Sequence, residues 1–194
     1  MANKVKYGLS SCYYAVLTET TSGVTFGTPV ALPGAVNFNQ DQEGETNKFR
    51  ADNIDYYVSV SNNGYSGDLE LALVPDSFLK DVMGETVDAS NGLQIEFADA
   101  KPKAFALLMQ FEGDAGSTRH VFYNCKATRP SVSSKTTEES IEPVTETINI
   151  TASAVKLTVA GQERPVVKAK CDSTASTAYA SFFSVVQLPT ASAG

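Results

Sequence analysis

Tryptophan is absent, histidine occurs once, and cysteine three times in 194 residues. With His120 as the sole imidazole, every Ser–His–Asp arrangement would have to use it. It stands inside an alternating run, where it reads as a strand-surface side chain rather than a general base. Cys12, Cys125 and Cys171 are odd in number, far apart and unpatterned. They make neither a disulfide framework nor a zinc site, and read as small core or sheet residues. No apolar run approaches the ~20 residues that a membrane span needs. The opening MANKVKYGLSS has no apolar stretch of the kind a secretory leader carries, so the expectation is a protein made in a cytoplasm. Basic residues are also short: 15 Lys and Arg stand against 22 Asp and Glu, for a net charge of −7 and a pI near 4.7. Such a chain repels phosphate backbones instead of docking on them, which does not argue against working close to DNA.

The near-misses to known motifs carry no chemistry. Gly64-Tyr65-Ser66-Gly67-Asp68 resembles a nucleophile elbow, but its last residue is Asp and it joins strand to strand. Gly113-Asp114-Ala115-Gly116-Ser117 is a hairpin turn. Asn149-Ile150-Thr151 matches a glycosylation acceptor inside a strand. Asp41, Glu43 and Glu45 lack the spacing and closing Glu of a calcium loop. No phosphate-binding glycine motif is present. The expectation is therefore no catalytic residue, no cofactor and no metal, and a structural or partner-binding chain.

What the sequence does have is alternation. In residues 50–75, Ile54, Tyr56, Val58 and Val60 share one face of a run, and Leu69, Leu71 and Leu73 one face of a second. Period two means half-buried strands. Ser61-Asn62-Asn63-Gly64 between them predicts an antiparallel hairpin at the centre of the sheet. Residues 5–17 form a first strand, residues 24–32 an extended stretch ending at Pro33-Gly34, and residues 35–38 the start of another strand. Residues 39–48 (NQDQEGETNK) are polar and aperiodic and predict a long mobile loop, extending to 50. Residues 75–84 (PDSFLKDVMG) are the one convincing helix, with Asp76 as its cap and Gly84 as its stop. Residues 104–112 are apolar on both faces, hence a buried central strand, hairpinned to 118–128. Residues 129–142 form an exposed connection. Residues 143–152 alternate, with Thr145, Thr147, Asn149 and Thr151 on one face. Residues 155–159 and 166–171 predict a hairpin about 161–165, residues 178–188 a last strand, and residues 189–194 a flexible end. The fold class is mainly β, a single sandwich- or barrel-like domain with one short flanking α-helix at about 76–84.

Taken in order, KVKYGLSSCYYAVL, FGTPVALPGAV, FRADNIDYYVSVSNNGYSGDLELALVP, SFLKDVMGE, NGLQIEF, KAFALLMQFEG and RHVFYNCKATRP resemble the major tail, or tail-tube, proteins of long non-contractile-tailed bacteriophages and related prophages. The match covers most of residues 5–130 and is looser after Ser131. The resemblance implies a virion tail protein that forms hexameric rings stacked into a tube, the conduit for the genome. It implies a loop reaching the neighbouring ring, here Gln40, Asp41, Glu43, Gly44, Glu45, Lys48 and Arg50. It also implies a tape-measure protein inside the tube, terminator or tip proteins at its ends, and double-stranded DNA only in transit. The strand at 143–152 is the channel-lining candidate: Thr145, Thr147, Asn149 and Thr151, with Glu142 and Glu146 nearby. On this reading, deleting residues 40–48 leaves a folded subunit that cannot stack, and reversing Glu142 and Glu146 to Lys slows ejection while tubes still form. Two other functions compete. One is a β-sandwich binding module presenting Tyr13, Tyr14, Tyr56, Tyr57 and Tyr65 as an aromatic platform; the other is the tube of a contractile or bacteriocin-like particle.

Overall fold

A computed structural model describes residues 5, 7–21, 23–113, 116–136 and 143–190. In chain order the elements are β1 (Tyr7–Thr20), β2 (Gly23–Phe26), β3 (Val30–Ala31), β4 (Ala35–Glu43), β5 (Thr46–Ala51), β6 (Ile54–Val60) and β7 (Gly64–Leu71). A short helix α1 (Asp76–Phe78) runs on into a π-helical turn (Leu79–Met83). Then come β8 (Thr86–Val87), β9 (Gln94–Ile95), β10 (Phe105–Glu112), β11 (Arg119–Ala127), β12 (Glu146–Ser153), β13 (Val155–Val159), β14 (Gln162–Val166), β15 (Lys168–Cys171) and α2 (Ser176–Ala180). The protein is mainly β, as the alternation predicts.

One antiparallel sheet carries the fold, in the order β2-β1-β10-β11-β12-β7-β4. β3 joins the outer edge of β1, and β15 joins β11 beside β12. The central strand β10 shows why both faces are needed. Phe105, Leu107 and Met109 point into one core, and Ala106 and Leu108 into a second. The first core gathers Tyr14, Leu69, Leu71, Ile148 and Ile150 from the sheet and Phe78, Val82 and Met83 from the helical segment. Phe38 of β4 lies 6.5 Å from Phe111 and 5.9 Å from Phe122, ring to ring, although β7 and β12 separate β4 from β11 in the sheet. The sheet therefore curls around its first core. β1 and β4 come into contact, but no ladder joins them among the described residues, so the curl is not a closed barrel. The second core is a cap. Leu157, Phe182 and Val186 cover Ala15, Val121 and Tyr123 on the β1-β10-β11 side.

Several expectations change in the structure. β6 pairs with β5, not with β7; β7 pairs with β4 and β12. Residues 39–48 are not a loop: they complete β4 and begin β5. On β4, Phe38 and Gln40 turn inward and Asn37, Asn39 and Asp41 outward. The alternation is real, but its polar inward residue hides it: Gln40 Nε2 donates to the Ile150 carbonyl at 3.2 Å. The true reversal is Asp52-Asn53, whose φ values of 51° and 63° make a two-residue turn with both centres left-handed. Residues 35–71 are thus one long hairpin. The sequence 161–165 is likewise mostly strand: Ala160-Gly161 turns between Val159 and Gln162, and β14 pairs with β13.

Residues 178–188 are not a strand. Tyr179, Phe182, Phe183 and Val186 follow a helical spacing, and α2 with the turns after it seats Phe182 and Val186 in the second core. In the first helical segment, Phe78, Val82 and Met83 are buried as expected and Gly84 stops the turn at φ 81°. Asp76, however, makes no cap hydrogen bond; Pro75 occupies the cap position in extended geometry. Residues 128–136 carry no regular structure and are mostly exposed; residues 137–142 and 191–194 of the expected connection and tail lie outside the described residues.

Candidate assembly and channel surfaces

The distal half of the long hairpin forms an arm. Its base is an interruption of the ladder where Gly44 passes close to the opposite strand: a Cβ added there would meet the Ser61 carbonyl oxygen at 2.1 Å. Around it the Asn63 amide donates to the Glu43 carbonyl (2.8 Å), the Ser61 amide to the Glu45 carbonyl (3.0 Å), and the Glu45 amide to Ser61 Oγ (2.9 Å). Beyond it, residues paired across the ladder share a face. Lys48, Arg50 and Asp55 lie on one face, with Lys48 Nζ 2.9 Å and Arg50 Nε 3.4 Å from the Asp55 carboxylate. Phe49 opposite Tyr57, and Ala51 opposite Ile54, make up the other.

No residue of β5 or β6 belongs to either core. Phe49 is 63% exposed, Ile54 61%, Tyr57 63% and Val60 70%. Phe49, Ile54 and Tyr57 make an apolar face that no described residue covers, the mark of an interface. Gln40, Asp41, Glu43, Gly44, Glu45, Lys48 and Arg50 do not act as one loop. Gln40, Asp41 and Glu43 belong to the main sheet, Gly44 and Glu45 to the base of the arm, and Lys48 and Arg50 to the arm itself. Deleting residues 40–48 would therefore cut β4 and its ladder to β7, so the expectation that this variant folds does not hold.

The second surface is polar. On β12, Ile148, Ile150 and Ala152 face the first core, and Thr147, Asn149 and Thr151 are exposed on the opposite face. Register extends that face across three strands. Thr147, Asn149 and Thr151 stand beside Glu70, Asp68 and Ser66 of β7, and these beside Asn37, Asn39 and Asp41 of β4. The second core covers only the β1-β10-β11 side of this same face, leaving a bare wall on β12-β7-β4 with three carboxylates and no cation. Thr145, half-buried at its margin, donates its hydroxyl to Glu70 Oε1. Glu146 is elsewhere. It lies on the inward side of β12, and its Oε2 accepts the Val74 amide at 2.7 Å. Glu142 lies outside the described residues. The acids Asp68 and Glu70 on β7 were not singled out from sequence; the signal that finds them is the register, since their own run reads only as the polar half of an amphipathic strand.

The remaining candidates resolve simply. His120 is half-buried with its ring edge-on to Phe111 at 5.0 Å. Cys12 and Cys125 are buried, and burial raises both thiols, Cys12 to about 12. Among the described residues no group of His, Cys, Asp or Glu is placed to hold a metal ion. No helix there is long and apolar enough to cross a membrane. The five tyrosines form no common platform. Tyr14 is buried, Tyr13 stacks on Phe183 at 4.8 Å, Tyr65 meets Phe122 edge-on at 5.5 Å, and only Tyr56 and Tyr57 stand out on the arm.

Compared with known proteins, the chain has no match among curated proteins. A family model described as phage tail tube protein matches residues 2–191. With that match over nearly its whole length, the chain belongs to the phage tail tube protein family, structural components of the virion tail.

Proposed function

We propose that this chain polymerises as hexameric rings that stack into the tail tube of a long non-contractile-tailed phage, the conduit for genome ejection. The carrying observation is the arm, a β-ribbon with an uncovered Phe49–Ile54–Tyr57 face and no place in its own subunit's core. In the tube it reaches the neighbouring ring and buries that face there. Ring closure uses sheet edges: the outer edge of β4 has no partner strand among the described residues, and an open edge of nine residues invites another strand. The polar wall of β12-β7-β4 turns to the lumen. Six subunits at −7 give roughly −40 per ring, and an acidic polar wall keeps phosphates from docking. A tape-measure protein occupies the tube before DNA, and terminator and tip proteins close its ends.

The test replaces residues 46–60 by a two-residue Asn-Gly turn, which leaves the β4–β7 ladder intact. This variant is expected to remain folded by circular dichroism and to form no tubes in negative-stain micrographs at concentrations where the full chain does. Tubes of ordinary length from the shortened chain would overturn the assignment of the arm.

A further inference from the structure

A cavity of about 240 Å³ opens where the sheet forks, between β4 and β7 on one side and β11 and β15 on the other. The fork arises because β12 pairs with β11 only over Asn124–Ala127 while β15 takes the same edge over Arg119–Phe122. Phe38, Tyr65, Phe111 and Phe122 give it aromatic walls. One buried polar group there is incomplete, and one exposed cation stands at the mouth. Gln40 Oε1 is buried with no donor, and its amide is oriented by the bond from Nε2 to Ile150, so the oxygen and not the nitrogen is left over. A buried acceptor without a donor costs free energy that a hydroxyl would recover. Lys168 holds its ammonium 4.2 Å from the centroid of Tyr65, and no carboxylate pairs with it among the described residues.

These groups ask for one kind of guest: a flat ring for the aromatic walls, bearing a hydroxyl that donates to Gln40 Oε1 and accepts from Lys168. That is a phenol. The chain displays one on the uncovered face of its arm, Tyr57, beside Phe49. Resting on the reading of the arm as an inter-ring connector, we infer that Tyr57 of one subunit seats in the Gln40–Lys168 cavity of a subunit in the adjoining ring. Lys168 then lies between two rings, Tyr65 of its own chain and Tyr57 of the other, an arrangement that favours a cation. The hydroxyl is what the cavity reads, so the site distinguishes tyrosine from phenylalanine, as buried polar sites do.

Two measurements on the full-length chain test this. First, Tyr57→Cys and Lys168→Cys chains, each carrying Cys171→Ala, are co-assembled in equal parts with the Cys171→Ala chain and treated with a bismaleimide, because side chains that meet tip to tip hold their Cα atoms beyond disulfide reach. A crosslinked dimer is expected in tubes and not in dilute subunits, and a Tyr56→Cys chain paired with Lys168→Cys should give far less. Tubes without the dimer, or equal yields from positions 56 and 57, would overturn the assignment. Second, Tyr57→Phe is expected to raise the critical concentration for assembly about tenfold, the loss of one charge-assisted hydrogen bond per contact. An unchanged critical concentration would overturn the role of the hydroxyl. A wild-type chain that forms no tubes under any condition would instead count against the tube reading itself.

Discussion

Burial sets the alkaline limit of this protein one residue at a time. Tyr14 sits in the first core, and its hydroxyl donates to Asp81 Oδ2 at 2.8 Å. Burial first, and the Asp81 carboxylate with it, push the phenol up to about 12. Burial likewise moves the Cys12 thiol from 9.0 to about 12. Between these ordinary and shifted values the unfolded chain has released protons that the folded chain still holds. Stability from these groups is therefore complete below about pH 9 and falls as pH rises towards 12. Urea midpoints measured from pH 7 to 11.5 should show that decline, and Tyr14→Phe should shallow its upper part at a cost of about 1 kcal/mol at neutral pH. A decline of the same steepness in that variant would remove Tyr14 from the explanation. Gly44 poses a second residue-scale question. A Cβ there would clash with backbone and not with a yielding side chain. Gly44→Ala should leave the melting temperature within a few degrees, because neither core is touched, yet cut tube yield several-fold by tilting the arm. Normal yields in micrographs would show that the arm tolerates a new angle.

At the scale of elements, the strands that the chain buries are legible in the sequence and the exposed ribbon is not. β10 and β11 read correctly because Phe105–Met109 and Val121–Tyr123 are apolar on both faces and buried on both. The run Ile54-Tyr56-Val58-Val60 alternates just as clearly, but a break in register between Phe49 and Arg50 sets Ile54 on the Phe49 face and Val58 opposite Lys48 on the other, so period two predicts one central strand where the structure has a projecting ribbon. Residues 39–43 looked like a loop because a wall facing solvent on one side and carrying Gln40 on the other has almost no hydropathy contrast. Residues 178–188 read as a strand because the segment is short and apolar, whereas Phe182 and Val186, four apart, mark its helical face. Its anchor is a cation. Arg119 Nε donates to Gln110 Oε1 at 2.8 Å, its Nη1 donates to the Tyr179 carbonyl, and its guanidinium lies 3.7 Å from the Tyr179 ring centroid and 4.7 Å from that of Phe183. Arg119→Ala should cost about 2–3 kcal/mol and expose the end of the chain to protease. Arg119→Lys should recover little, since an ammonium cannot fork and stack at once. Full recovery by Lys would reduce the clasp to simple charge.

For the whole molecule, the proposed conduit raises the question of which acids a passing genome would meet. Glu146 looked suitable from sequence, yet its carboxylate holds the Val74 amide on the inward side of β12. Reversing it to Lys would place a cation where an acceptor is required and would test folding instead of conduction. Asp68 is the better choice. It is exposed at the middle of the polar wall, flanked in register by Asn39 and Asn149, and bonds nothing that the fold needs. In the proposed hexameric ring Asp68→Lys changes the charge by roughly twelve while leaving both cores and the arm untouched. If that wall lines the lumen, tubes of normal length should form, genome release should slow several-fold, and added salt should restore much of the rate by screening the new attraction to phosphate. Release at the wild-type rate from tubes of Asp68→Lys subunits would place the wall on the outside of the tube. The lining would then have to be sought elsewhere on the sheet.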